Sequence, residues 1–428
     1  MSDWQQTSLG DLETPVRREV AVPSPVSGAS ARGGYPLRPL GEVMHLDIRR
    51  TPMKPASTYR LAGVLNAGKG VVAKGELDGG DTEYAAMNVL HADQVVMRKL
   101  TAWEGPITVV PAEFDGFVVS SEFPTFTLGP ELLPAWMRHV CGSPRLWVEM
   151  KNRVSGTVQR RKRLNPEQLL QIQLPIPPRE VQARIVEMLD SVDDQIAALD
   201  QEAEALDRVS MAVAEDMLVH EPTVALGTML NDIRGGKSPQ AKNRPPGADE
   251  LGVLKVSAVT PFAFLPEESK SLLPGTSMPE SALVQPGDVL ITRANTPLRV
   301  GAVARVPTDV RNGLYLADKT LRLVPSSELD PDFLVVTMAL KSARTHLTSS
   351  ATGTSASMVN VSQDRIRDTP ISLPDLDRQR DVSSAVLSVR ANTDAVRAEA
   401  TRLRNARSSL LSGLLDRTIE IESAELGV

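Results

Sequence analysis

The sequence predicts a mixed α/β (α+β) protein. It would have two α/β globules, each followed by a long helix, and the helices would pair as an antiparallel coiled coil about a pseudo-twofold axis. Three observations carry this expectation. A segment near the middle of the chain recurs near its end without a gap. Beyond each copy, apolar residues recur at alternating steps of four and three. Ahead of each copy lie short β-branched and aromatic runs separated by Pro, Gly and Asp turns.

The first 35 residues have no repeat partner. They are rich in Pro, Ser and Gly after Trp4 and read as an arm or disordered tail. Residues 36–173 read as the first globule, with "GPITVV" and "FDGFVVSS" as strands. "LPIPPREVQARIVEML", starting at Leu174, then opens a helical segment over 174–220. Its prolines make an extended approach, and Pro178 suits a first helical turn. From about 179 to 218 the pattern is helical. Ile185, Leu189, Val192, Ile196, Leu199, Ala203 and Leu206 form the seam of a coiled coil, which turns polar at Ser210.

Residues 221–370 read as the second globule, with strands at "DVLITR" and "VGAVARV". Leu226-Gly227 matches Leu40-Gly41, and "PGDVLITR" matches "ADQVVMRK". The repeat then closes. Leu174 falls on Ile371, Pro177 on Pro374, Gln182 on Gln379 and Ile185 on Val382, each 197 positions on. The second helical segment, 371–418, has its seam at Val382, Val386, Val389, Thr393, Val396, Ala400 and Leu403, and turns polar at the matching step, Arg407. Residues 419–428 read as a tail. Few residues separate the first helix from the second globule. Because compact domains bring their ends together, the second helix should run back along the first.

Two variable globules, each followed by a proline approach, a glutamine and a heptad helix, resemble the DNA-specificity (S) subunits of type I restriction–modification enzymes. The resemblance covers about residues 36 to 418, and "PDLDRQ" departs from it by lacking the second proline. It implies two target recognition domains that read a bipartite site in double-stranded DNA. The implied partners are two methyltransferase (M) subunits and motor/nuclease (R) subunits. It places S-adenosylmethionine, ATP and Mg²⁺ in those partners and none in this chain. Two alternatives stay open: a specificity subunit serving a fused methylase–nuclease without a motor, and a coiled-coil scaffold that never touches DNA.

Composition fits this reading. The single Cys141 excludes an internal disulfide framework, and with five scattered His residues there is no zinc constellation. No apolar run approaches a membrane span and the start of the chain is too polar for a signal peptide, so a cytoplasmic protein is expected. Net charge is −6, which argues mildly against nucleic-acid binding, but the average can hide segregated patches, and many of the acids lie on the helices.

Catalytic signatures are missing from the sequence. "IRGGKSPQ" ends like a phosphate-binding loop, but Asn231 stands where the first glycine belongs. No Asn/Asp-Pro-Pro-aromatic loop for a target amine is present. Glu268-Ser269-Lys270 has the spacing of a nuclease triplet without a preceding strand-borne Asp, and reads as a solvated loop.

The remaining cations suit DNA. Arg160, Arg161, Lys162 and Arg163 form a run beside a Ser-Gly-Thr turn. Arg49, Arg50 and Lys54 follow the first Leu-Gly. Arg234 and Lys237 follow the second, where glycine permits close backbone approach. Arg293, Arg299 and Lys319, with Arg305 and Arg322, punctuate the second strand block. Such side chains bind phosphate or, for Arg, guanine edges.

Overall fold

The computed structural model describes residues 34–155, 162–355 and 358–419. These divide into two compact units. Residues 34–201 and 397–419 form one, here the terminal unit, and 202–396 form the other, the central unit.

The terminal unit is built on a four-stranded antiparallel sheet. Its order is Met44–Leu46, Thr125–Leu128, Val95–Met97, Ile107–Val109. The central unit repeats it with Leu230–Gly235, Thr320–Pro325, Val289–Thr292 and Val303–Arg305 in the same order. Of the two middle strands of each, Val95–Met97 and Val289–Thr292 are buried throughout and read as apolar runs. Each unit also closes on a two-stranded ladder, Leu37–Pro39 with Gln173–Pro175 and Thr223–Ala225 with Pro370–Ser372.

Helices recur in the same places. In the terminal unit α1 (Pro134–Cys141), α2 (Pro144–Arg153) and α3 (Pro166–Leu170) precede the long α4 (Arg179–Met217), whose first half belongs to this unit. In the central unit α5 (Pro331–Ala339), α6 (Lys341–Ser349) and α7 (Gln363–Arg367) precede the long α8 (Leu376–Leu415). Their starts are written in the sequence as Pro in the first turn and polar caps. Ser143 accepts from Arg145 N–H at 3.2 Å, Asp330 from Phe333 N–H at 3.0 Å and Ser362 from Arg365 N–H at 3.2 Å.

At 39 and 40 residues, α4 and α8 are each about 60 Å long at 1.5 Å per residue. Within each unit their halves run antiparallel. In the terminal unit Asp193 pairs with Arg407, and Asp200 with Arg404. In the central unit Asp207 meets Arg390 at 3.1 Å, and the Met217 carbonyl accepts from Arg378 Nη2 at 3.0 Å. Higher numbers on α4 meet lower numbers on α8 throughout. The seam is buried where the heptads place it, at Ile185, Leu189, Ile196, Ala203, Val382, Val386, Thr393 and Ala400. Each fully buried Ile or Leu contributes roughly 1.5–3 kcal/mol.

The units differ in their second sheets. The terminal unit has five strands in the order Arg49–Pro52, Ala86–Val89, Val118–Val119, Thr58–Val64, Val71–Asp78, over a core of Ala62, Val64, Leu90, Val96 and Phe117. The central unit has a four-stranded sheet, Ala241–Lys242, Ser269–Leu272, Gly252–Leu254, Leu314–Tyr315, and a three-stranded one, Ala294–Asn295, Met358–Asn360, Thr352–Ser355. One framework thus carries two unlike additions.

One detail differs from the sequence-based expectation, and the readings of "IRGGKSPQ" and Cys141 agree with the structure. Ser269 is buried in a strand and Glu268 pairs with Lys255 at 3.5 Å, so the Glu-Ser-Lys triplet is a strand start and not a solvated loop. The "IRGGKSPQ" strand stops at Gly235 with no helix after it, so no phosphate-binding loop forms. Cys141 is a buried core residue whose thiol pKa burial pushes up.

Candidate nucleic-acid interface

The third strand of each repeated sheet runs out into a basic residue. Lys99 follows Arg98 at the end of Val95–Met97, and Arg293 follows Val289–Thr292. The backbone around the two is the same. Lys99 N–H donates to the Glu122 carbonyl at 2.9 Å, and its own carbonyl accepts from Leu164 N–H at 3.1 Å. Arg293 N–H donates to the Lys319 carbonyl at 2.9 Å, and its carbonyl accepts from Val361 N–H at 2.8 Å. The turn beyond Lys99 or Arg293 therefore lies against the segment that closes the domain. In the terminal unit Thr101 N–H reaches the Lys162 carbonyl at 3.0 Å, and Leu100 bridges to Arg163. In the central unit Ala294–Asn295 pairs with Asn360 and Val359.

A part-buried arginine braces each turn from behind. Arg98 donates to the Leu100 carbonyl at 3.0 Å and to Thr101 Oγ1 at 2.7 Å. Arg344 donates to the carbonyls of Val300 at 2.7 Å and Leu298 at 3.0 Å. Burial lowers the pKa of both arginines. Arg98 is further paired with Glu104 at 3.3 Å, so both guanidinium groups are committed to internal partners and the exposed cations lie elsewhere.

Several cations singled out by sequence gather at these turns. Lys162 is half-buried, and Arg163 is exposed with Nη2 3.2 Å from Glu122 Oε1. Arg160 and Arg161 lie outside the described residues. Arg293 and Lys319 are joined through their backbones, Lys319 Nζ sits 3.5 Å from Met358 Sδ, and Arg299 is exposed on the turn. Lys237 is exposed in a loop tied to the residues just ahead of Lys319. Gly236 N–H donates to the Ala317 carbonyl at 3.2 Å, and Asp318 N–H donates to Ser238 Oγ at 3.2 Å. A Cβ on Gly236 would lie 1.8 Å from the Leu316 oxygen, so the close approach that this glycine allows is to the protein's own backbone.

Others stand apart. Arg234 is exposed, but its Nε is 2.8 Å from Asp232. Arg49 and Arg50 are exposed on the edge strand of the five-stranded sheet and Lys54 lies just beyond it, an element with no counterpart in the central unit. Arg322 is buried, pairs with Asp288 at 2.6 Å and donates to the Ser281 carbonyl at 3.1 Å, and Arg305 pairs with Asp332. Those two are structural. Lys99 is not among the cations that the sequence singles out, although the match of "ADQVVMRK" to "PGDVLITR" sets it opposite Arg293.

His139, Asp190 and Asp193 also meet. A guanidinium fills that corner. Arg407 forks onto Asp193, with Nη2 2.8 Å from Oδ2, and donates to His139 Nδ1 at 2.6 Å. His139 Nε2 lies 3.0 Å from Asp190 Oδ1 without good hydrogen-bond geometry. Burial, then Arg407, pushes the His139 pKa down to about 4. This is a neutral imidazole in an ion network.

Residues 149–208, from within α2 into α4, match the type I restriction modification DNA specificity domain. Over 164 residues the chain is 30% identical to the type I restriction enzyme EcoEI specificity subunit of Escherichia coli. The match covers 38% of this chain and 27% of that protein, so the chain spans about a quarter of its curated relative's length. The fold is similar to that of a chain from a structural study of complex assembly and conformational transition of the type I R-M system, at TM-score 0.54 and 18% identity, covering 92% of this chain and 100% of that one. Part of the chain is thus similar in sequence to type I DNA-specificity proteins, and its fold is similar to that of the type I R-M chain. The HsdS subunit of Thermoanaerobacter tengcongensis is a further structural relative, at TM-score 0.39 and 17% identity over 92% of this chain and 99% of that one. The matched stretch holds Lys162, Arg163 and Gln182. No helix among the described residues is long and apolar enough to cross a membrane.

Proposed function

We propose that this chain is the non-catalytic DNA-recognition subunit of a type I restriction–modification complex and reads a bipartite duplex target. The observation that carries the proposal is the repeated turn. Lys99, Lys162 and Arg163 in one unit, and Arg293, Arg299 and Lys319 in the other, stand at the same place on one framework. Their cations neutralise phosphates and fix register on the duplex. Each unit reads one part of the target, and the unlike second sheets make the two parts unlike. The charge differences agree, since Glu122 in one unit stands where Lys319 stands in the other. Arg49, Arg50 and Lys54 add contacts to the terminal unit's half, and Arg234 and Lys237 to the central unit's.

The repeated frame supports one methyltransferase subunit for each half, two in all, with restriction/translocase subunits joining them. Methyl transfer from S-adenosylmethionine and ATP- and Mg²⁺-dependent work then belong to those partners. The test is DNA binding by the assembled complex over a range of salt. Because phosphate contacts release counterions, log K should fall linearly with log salt, with a slope near −0.9 for each phosphate neutralised. Target binding that ignores salt, or no preference for any sequence, counts against the proposal.

A further inference from the structure

Leu298 is 84% exposed, the most exposed of the large apolar side chains among the described residues. A single exposed leucine needs no explanation in a slack loop. This one is held rigidly. Three successive carbonyls are tied from behind: Leu298 O by Arg344 Nη2 at 3.0 Å, Arg299 O by Thr292 Oγ1 at 3.2 Å, and Val300 O by Arg344 Nη1 at 2.7 Å. Arg299 and Val300 N–H both donate to the Thr296 carbonyl at 2.9 Å, and Pro297 fixes one backbone angle between them. Gly301 returns the chain with φ of +74°, its N–H 2.8 Å from the Thr292 carbonyl. A Cβ there would lie 2.7 Å from Leu347 Cδ1. The turn is therefore pinned at its foot, its back and its return, and what it holds out is an aliphatic side chain.

We propose that Leu298 is a wedge that enters a base step of the duplex and holds it partly unstacked. This rests on the reading of the turn as DNA-facing and says what its tip does there. Aliphatic wedges can offset an unstacking cost of about a few kcal/mol per step, since a bent duplex meets more protein surface. The charge around the turn favours nucleic acid over an apolar partner protein. Arg299 adjoins the leucine, Arg293 and Lys319 stand at the foot, and neither Arg293 nor Arg299 is paired with a carboxylate among the described residues. The rigid brace means that the wedge is positioned before DNA arrives.

The test uses the complete complex with its methyltransferase subunits and duplexes carrying the target identified by methylome sequencing. 2-Aminopurine is scanned through both halves. Binding should brighten one position several-fold, and Leu298→Ala should abolish that signal. The variant should bind the intact duplex about tenfold more weakly, or roughly 1.4 kcal/mol. It should lose much less affinity for a duplex already mismatched at that step. Target-specific binding with no brightened position overturns the wedge while leaving DNA recognition standing. So does a Leu298→Ala variant that assembles poorly with its methyltransferase partners yet, once assembled, unstacks DNA normally. A wild-type complex with no target-specific binding sinks the recognition reading itself.

Discussion

Gln182 and Gln379 make the same three hydrogen bonds, each 197 residues apart. Gln182 Nε2 donates to the carbonyls of Pro177 at 2.8 Å and Glu131 at 2.9 Å, while Oε1 accepts from Leu133 N–H at 2.9 Å. Gln379 does so with Pro374 at 2.9 Å, Glu328 at 3.0 Å and Asp330 N–H at 2.8 Å. Each glutamine fastens the start of a long helix to the loop before a short one. The spacing from proline to glutamine was legible in the sequence. Its purpose was not, because the partners lie about fifty residues upstream. Gln182→Ala strands buried backbone groups and should cost about 2–4 kcal/mol, read as a lower thermal midpoint; an unchanged midpoint would show the lock to be dispensable. His139 gives a pH dependence. Its pKa falls from an ordinary 6.5 to about 4 on folding, so the unfolded chain binds more protons between those values. Its contribution is complete above about 6.5 and is lost as pH falls from there toward 4. His139→Asn should flatten the pH dependence of the thermal midpoint across that window. The same fall in the variant would place the titration elsewhere. The polar step at Arg407 was visible in the heptads, but its engagement with Asp193 and His139 came only from packing.

Long elements were far more legible than short ones. The heptad stripe of α4 and α8 repeats many times, so each turn restates the same message. The shared-sheet strands Ile107–Val109, Val289–Thr292 and Val303–Arg305 were readable because burial leaves them short apolar, β-branched runs. The added sheets were legible only in part: "FDGFVVSS" marked Val118–Val119, but strands such as Ala241–Lys242 are two residues long and pair with partners distant in sequence. The site was legible in composition and not in geometry. Cations could be counted, but only the fold separates Arg322, which is buried and paired, from Arg299, which is exposed. At this scale the account predicts that Arg293→Ala or Arg299→Ala weakens target binding and makes the salt slope shallower by about one for each phosphate left without its cation. Arg322→Ala should instead lower the thermal midpoint. A variant of Arg322 that folds normally and loses salt dependence would reverse that assignment.

Both long helices pass unbroken from one unit's residues into the other's. If the chain reads a bipartite target as proposed, helix length should set how far apart along DNA the two halves are read. Adding four residues after Ala198 and four after Ala395 lengthens each helix by about 6 Å, at 1.5 Å per residue. DNA rises about 3.4 Å per base pair, so the unread gap should grow by one or two base pairs with both half-sites unchanged. Matching insertions are needed because four extra residues on one side alone disturb the heptad seam. New half-site sequences with the old gap would rule out the helices as the spacer. Recognition itself is tested most directly by the methylome of cells with this chain and of cells from which it has been deleted. The account predicts that deletion removes methylation at one motif made of two short unlike sequences around an unread gap. Methylation that survives deletion, or a lost motif that is continuous, would contradict it.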